Sequence, residues 1–182
     1  YDTFAAKRSP AHEQPGERVR FAYADPPYIG QGKRYGCSEI DHGELIGRLA
    51  RDFPDGWALS CSSTSLRTLL PLCPEKVRVG AWVKRFAIFK PGICPAYAWE
   101  PVIFMGGRRK SRKQFTGRDW CAADIVQLGF TGSKPDEFCY WLFDLLNMKA
   151  GDEFVDLFPG TGRVTRAWEA YCRAGTELFC GE

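Results

Sequence analysis

The sequence predicts an α/β fold: one mostly parallel sheet with helices on both faces. Two observations carry this. Short apolar runs alternate with stretches of helical periodicity, the signature of strands joined by helical crossovers. Two of those runs, Val19–Ala24 and Glu153–Leu157, end abruptly in proline- or glycine-rich loops, as buried strands do. A chain of 182 residues with 45% hydrophobic and 26% charged residues is sized and composed for a single core. Residues 1–17 read as a polar N-terminal extension and 18–182 as one domain.

The elements follow in order. Val19–Ala24 is a strand stopping at Asp25-Pro26-Pro27. Ser38 is expected to cap a helix whose apolar positions Ile40, Leu45, Ile46, Leu49 and Phe53 recur at helical spacing. Pro54-Asp55-Gly56 makes a turn into a strand at Trp57–Cys61. A short helix at Ser65–Leu70 and strands at Val77–Val83 and Pro101–Met105 come next, then a loop from Gly106 to Gly132. Ser133-Lys134-Pro135-Asp136-Glu137 has the capping serine, early proline and first-turn acids of a helix start, and that helix runs to about Met148. A strand at Glu153–Leu157, a glycine loop, a helix from Arg163 to about Arg173 and a strand at Leu178–Cys180 complete the chain.

Several functional classes fall away on composition. No run of 18 apolar residues occurs, so no membrane span or membrane partner is expected. The polar start, with Pro10 and Pro15, is neither a signal nor a transit peptide, and its missing Met reads as a trimmed start. Eight cysteines contain no CxxC pair, and His12 and His42 are the only histidines. Free thiols, a reducing cytoplasm and no metal are the expectation. His42 is expected to face solvent, and Trp99 and Trp120 to belong to the core.

Charge is distributed unevenly. Lys76–Arg118 holds eleven basic residues against one acid, Glu100, although the whole chain carries only +3. Such a block is either a solvated loop or a surface for a polyanion, and its neighbours decide which.

Asp156-Leu157-Phe158-Pro159-Gly160-Thr161-Gly162 links a strand to a helix. Glycines there allow close backbone approach to a ligand, and the helix N-terminus beyond favours negative charge. Glu182 lies twenty residues past Gly162, where an acid can hydrogen-bond a ribose hydroxyl. This points to nucleotide-type binding. Asp25-Pro26-Pro27-Tyr28 lies at the other strand end. Pro27 forces Pro26 toward an extended conformation, so a carboxylate and a rigid carbonyl stand side by side as acceptors. Two acceptors suit an aromatic amino group, whose lone pair is delocalised into its ring. Binding both hydrogens favours a tetrahedral nitrogen that can attack a sulfonium methyl. Tyr28 would stack on a base turned out of its helix.

Together these residues resemble the S-adenosylmethionine-dependent amino-methyltransferases acting on DNA adenine N6 or cytosine N4. DPPY at 25–28 is similar to their catalytic motif and DLFPGTG at 156–162 to their cofactor motif. The Lys-Pro helix start at 134–135 and Trp99-Glu100-Pro101-Val102 are also similar. The resemblance spans roughly Val19 to Glu182. It implies a Rossmann-like class I methyltransferase fold with circularly permuted motif order, the catalytic loop first. It further implies Asp25, Pro26, Pro27 and Tyr28 at the target base, with Asp156, Phe158, Pro159, Gly160, Thr161 and Gly162 around S-adenosylmethionine. Glu182 would lie on its ribose, and Ser133 and Lys134 near its methionine end. The leading Asp favours adenine.

Beside such a site the basic block reads as a phosphate-binding surface, with residues 106–132 a short target-contact loop. Arg108, Arg109, Lys110, Arg112, Lys113 and Arg118 are its expected DNA contacts, with Phe115 among them. Lys33 and Arg34, with Tyr35, either cover the flipped base or form a lid. So small a recognition region points to low sequence specificity, a homodimer or a specificity partner, since phosphate contacts carry no sequence information. Cytosine N4, an RNA adenine and a non-catalytic nucleic-acid-binding module are the alternatives to DNA adenine N6.

Overall fold

The computed structural model describes residues 19–36, 38–86, 91–111, 114, 116–125 and 133–177. Among them are strands β1 (Arg20–Ala24), β2 (Gly56–Ser60), β3 (Arg78–Val83), β4 (Trp99–Gly106), β5 (Trp120–Ala122) and β6 (Glu153–Asp156). The helices are α1 (His42–Asp52), α2 (Leu66–Leu69), α3 (Asp136–Leu145) and α4 (Arg163–Glu177). The strands form one sheet in the order β5-β3-β4-β2-β1-β6. β1 is parallel to β2 and β6, and β3 to β5, whereas β4 is antiparallel to β2 and β3. Only β4 runs against the rest.

β1 shows why the sheet needs two helical layers. Its last four residues are buried, alternating between faces as strand geometry requires. Phe21 and Tyr23 join Phe138, Leu142 and Phe143 of α3 and Val164, Ala167 and Trp168 of α4. Ala22 and Ala24 join Leu45, Ile46 and Leu49 of α1 and Leu69 of α2. Helices therefore cover both faces, and each gets its own apolar cluster.

Local starts and stops depart from expectation where tertiary contacts intervene. α1 is capped by Asp41, whose carboxylate accepts from the Glu44 amide at 2.9 Å, rather than by Ser38. His42 then opens the helix buried, its Nδ1 3.0 Å from the Ile40 carbonyl oxygen. Ser133 does not cap α3. Pro135 holds the cap position in an extended conformation, and the Lys134 side chain before it reaches Asp25 at the sheet edge. Within the expected loop at 106–132, β5 adds to the edge of β3. Trp99 and Trp120 are partly exposed, at 39% and 42%, while Trp57, Trp82 and Trp168 fill the core. Arg118 covers the Trp120 ring from 5.1 Å. The strand expected at Leu178–Cys180 lies outside the described residues.

Phe143, fully buried, is the centre of the α3–α4 cluster: Phe154, Trp168 and Tyr171 lie 5.1–5.5 Å from its ring. Phe143→Ala is expected to cost about 3–5 kcal/mol, read as a lowered midpoint in denaturant unfolding.

Candidate active site

β1 and β6 end at the same level. Tyr23 stands opposite Asp156, and the Leu157 amide donates to the Tyr23 carbonyl at 2.9 Å. The Asp25-Pro26-Pro27-Tyr28 loop and the Asp156–Gly162 loop therefore leave the sheet side by side, at the carboxyl edge where open parallel sheets bind ligands. Pro26 is buried, while Asp25, Pro27 and Tyr28 are half-buried. β4, running the other way, starts at this edge and delivers Glu100. β3 ends there and delivers Lys84.

These groups form one network. Lys134 Nζ lies 3.0 Å from Asp25 Oδ1 and 3.3 Å from Glu100 Oε2. The Tyr28 hydroxyl donates to the same Glu100 oxygen at 2.8 Å, and Lys84 pairs with the other. Lys134 is only 4% exposed. Its ammonium rests 5.4 Å from the centre of the Trp82 ring and 5.7 Å from that of Phe138, aromatic faces that favour a cation. Beneath, the Tyr23 hydroxyl and Ser60 Oγ share a hydrogen bond of 2.7 Å.

Protonation follows from this packing. Burial by itself would raise the Glu100 carboxyl, but Lys134 and Lys84 overcome it and bring the pKa down to about 2. Asp25 goes the other way: burial, with Glu100 alongside, outweighs Lys134 and lifts it above the ordinary aspartate value. Lys134 is held charged because Asp25 and its neighbours outweigh its desolvation. Burial keeps the Tyr28 hydroxyl neutral.

The glycine loop is built around Asp156, whose carboxylate accepts from the Phe158 amide at 3.2 Å and the Thr165 hydroxyl at 3.4 Å. Asp156 thus shapes the turn. Gly160 and Gly162 have φ of +47° and +72°, which L side chains rarely adopt. Beyond them Thr161 and Ser133 line one open cavity of about 460 Å³ with Asp136, Tyr140, Arg163 and Arg166. Phe158 turns instead toward the α1 face.

The site residues expected from sequence are thus divided. The 25–28 loop, Lys134 and the glycine loop come together. Lys134 contacts Asp25 directly, and Ser133, its neighbour, faces the cavity. Lys33 is exposed on a short 3-10 turn, Gly32–Tyr35. Arg112, Lys113, Phe115, Glu182 and the Arg34 side chain lie outside the described residues.

Strand direction sets the described basic residues after β4 apart from the Asp25 loop. β4 carries the chain away from the edge that bears Asp25, so Arg108 and Arg109 emerge at the opposite one, beside Leu146 and Asn147 after α3. Lys110 follows them. The Arg108 guanidinium is bound to Asp152 and mostly buried, which makes it a structural residue. Arg118 sits at the entry to β5, its carbonyl accepting from Trp141 Nε1 at 3.0 Å.

No protein-family model and no curated protein sequence matches the chain significantly. Its structure is similar to the crystal structure of an M1.HpyAVI–SAM complex, with TM-score 0.61 and 15% identity over 85% of this chain and 79% of that one. A structure of M1.HpyAVI alone gives 0.58 and 15%, over 85% and 77%. The fold is the Rossmann-like methyltransferase fold. Lys84 lies in no motif singled out from the sequence, and Glu100 was noted only within the Trp99-Glu100-Pro101-Val102 segment, with no role at the site assigned to it. One signal was available: Glu100 is the single acid in the basic block and shares a face of β4 with buried Val102 and Phe104, where an unpaired charge would be untenable.

Two outcomes test this description. Glu100 is held below its ordinary value, so its contribution is complete above about pH 4.5 and lost as pH falls toward about 2. Glu100→Gln should flatten the loss of unfolding free energy across that window by about 3 kcal/mol. Arg108→Ala, removing the cation paired with the Asp152 carboxylate, should lower stability by about 3 kcal/mol, read as a lowered midpoint in denaturant unfolding.

Proposed function

We propose that the chain transfers a methyl group from S-adenosylmethionine to the exocyclic amino group of a nucleic-acid base, adenine N6 in DNA. The observation carrying this is the side-by-side exit of two loops from neighbouring parallel strands, one bearing Asp25 and Pro26, the other two glycines at positive φ. The likeness to a structure described as a complex with SAM supports the choice of methyl donor. The order of the two loops in this chain, target loop first, is the permuted arrangement.

The residues at the glycine loop suit that donor. Ser133, Thr161, Asp136 and Arg163 surround an open cavity of about 460 Å³, and a zwitterionic amino-acid end needs both acceptors and donors of this kind. When bound, the sulfonium supplies an electrophilic methyl group. The rest is done by the protein. Asp25 offers a carboxylate oxygen and Pro26 a carbonyl, each accepting one hydrogen of the amino group. The nitrogen's lone pair is then directed at the methyl carbon; the new N–C bond forms as the S–C bond breaks. The nitrogen afterwards sheds one proton to the solvent-facing side of Asp25, a fifth of which is accessible. Such preorganised acceptors favour the charge arrangement of the transition state over that of the ground state.

Tyr28 is tied through its hydroxyl to Glu100, which leaves its ring as a fixed platform for the base. Nucleic acid is expected along the catalytic edge, where the β3–β4 connection exposes Phe86 at 66% and Tyr97 at 52%. Aromatic faces there stack on unpaired bases of any sequence.

Incubation with labelled S-adenosylmethionine and duplex DNA, followed by nucleoside analysis, is expected to yield N6-methyladenine. N4-methylcytosine alone would move the target atom, and methylation of RNA alone the acceptor. DNA binding with no methylated nucleoside, unchanged by Asp25→Ala, would leave a binding module in place of an enzyme. Asp25→Ala should lower kcat by about 10²–10³ with little change in donor affinity. The rate should also fall with acidification at a pH above the ordinary aspartate range, because a carboxyl raised by burial is protonated earlier and a protonated Asp25 loses an acceptor.

A further inference from the structure

Glu100 belongs to neither loop, yet the catalytic edge converges on it. One of its oxygens holds Lys84; the other holds Lys134 at 3.3 Å and the Tyr28 hydroxyl at 2.8 Å. Three donors on a carboxylate whose side chain is 18% exposed leave it a single orientation. The three donors come from three different places: the end of β3, the approach to α3 and the loop after β1.

The charges balance. Asp25 and Glu100 are negative, Lys84 and Lys134 positive, so the cluster is neutral. In the reaction proposed above, positive charge develops on the base nitrogen beside Asp25. A cluster carrying one extra positive charge would oppose that development in a site of low dielectric, where such interactions are strong.

We infer that Glu100 is the positioning residue of the Asp25 centre: it holds Lys134 on one oxygen of Asp25, leaves the other to accept from the amino group, fixes the Tyr28 ring, and keeps the cluster neutral. This rests on the methyl-transfer reading for its consequence in turnover. The arrangement itself exists in the protein alone and can be tested there.

The charged and titratable groups facing Asp25 are Lys134 ahead of α3, Glu100 on β4, Lys84 after β3, Tyr23 on β1, Tyr28 on its own loop and Asp156 on β6. Glu100→Gln removes an anion from this set and Lys84→Met a cation. With the aspartate carboxyl carbons labelled, ¹³C NMR of the unliganded protein should show the Asp25 midpoint falling in Glu100→Gln and rising in Lys84→Met. In the double variant, which restores the wild-type net charge, it should return close to the wild-type midpoint. A merely structural disturbance has no reason to give shifts of opposite sign that cancel. Unchanged midpoints in both single variants, or a double variant that adds the damage instead of cancelling it, would overturn the inference.

Turnover supplies the second arm. Glu100→Gln should lose about 10²-fold in kcat with KM for the methyl donor within threefold, and adding Lys84→Met should recover about tenfold of that loss. A Glu100→Gln enzyme with wild-type kcat also overturns it. If the wild-type protein methylates no nucleic acid, the proposed function falls, while the titration still judges Glu100.

Discussion

The pairing of β1 with β6 is the constraint on which the site depends. Tyr23 stands opposite Asp156 in parallel register, so the two strands finish together and their loops diverge from one edge. Separated by 130 residues of chain, Asp25 and the glycine loop have no other reason to meet. Slipping this register by one residue would send Phe21 and Tyr23 to the wrong helical layer. The aromatic packing of Phe21, Tyr23, Phe138 and Phe143 that stabilises the fold thus also sets the spacing of the site.

The reversed strand does a different task. Because β4 runs against its neighbours, its first residues lie where theirs end, and it brings an acid to the edge that the parallel strands furnish with Asp25 and Lys84. Buried charges are costly unless paired, and a network of this kind gives geometry more than it gives stability. Lys134 pairs with both Asp25 and Glu100 and rests its ammonium over the rings of Trp82 and Phe138, while Lys84 holds the other Glu100 oxygen. The same reversal carries Arg108 and Arg109 to the far edge, where Arg108 is tied to Asp152 and serves the connection between α3 and β6.

Much of this was readable from residues alone. The period-2 and helical patterns placed the cores of β1, β2, β3, β4, β6, α1, α3 and α4, because burial on one or two faces is written directly into the order of apolar residues. The proline pair after β1 and the two glycines after β6 marked their loops through backbone restriction and backbone freedom, both local properties. The ends of elements were less accessible. Asp41 displaced Ser38 as a cap, and the three residues of β5 pair with the edge of β3 inside what reads locally as a loop.

What the sequence determined by itself, then, was the set of elements and the two motif loops, since propensity, periodicity and turn chemistry act over a few residues. What only the tertiary structure decided was the company each charge keeps. Lys134 is drawn to Asp25 and Glu100, His42 is covered, and the basic residues after β4 leave on the side away from the Asp25 loop. Strand direction and sheet order govern those outcomes, and both arise from packing between segments far apart in the chain, which no local pattern encodes.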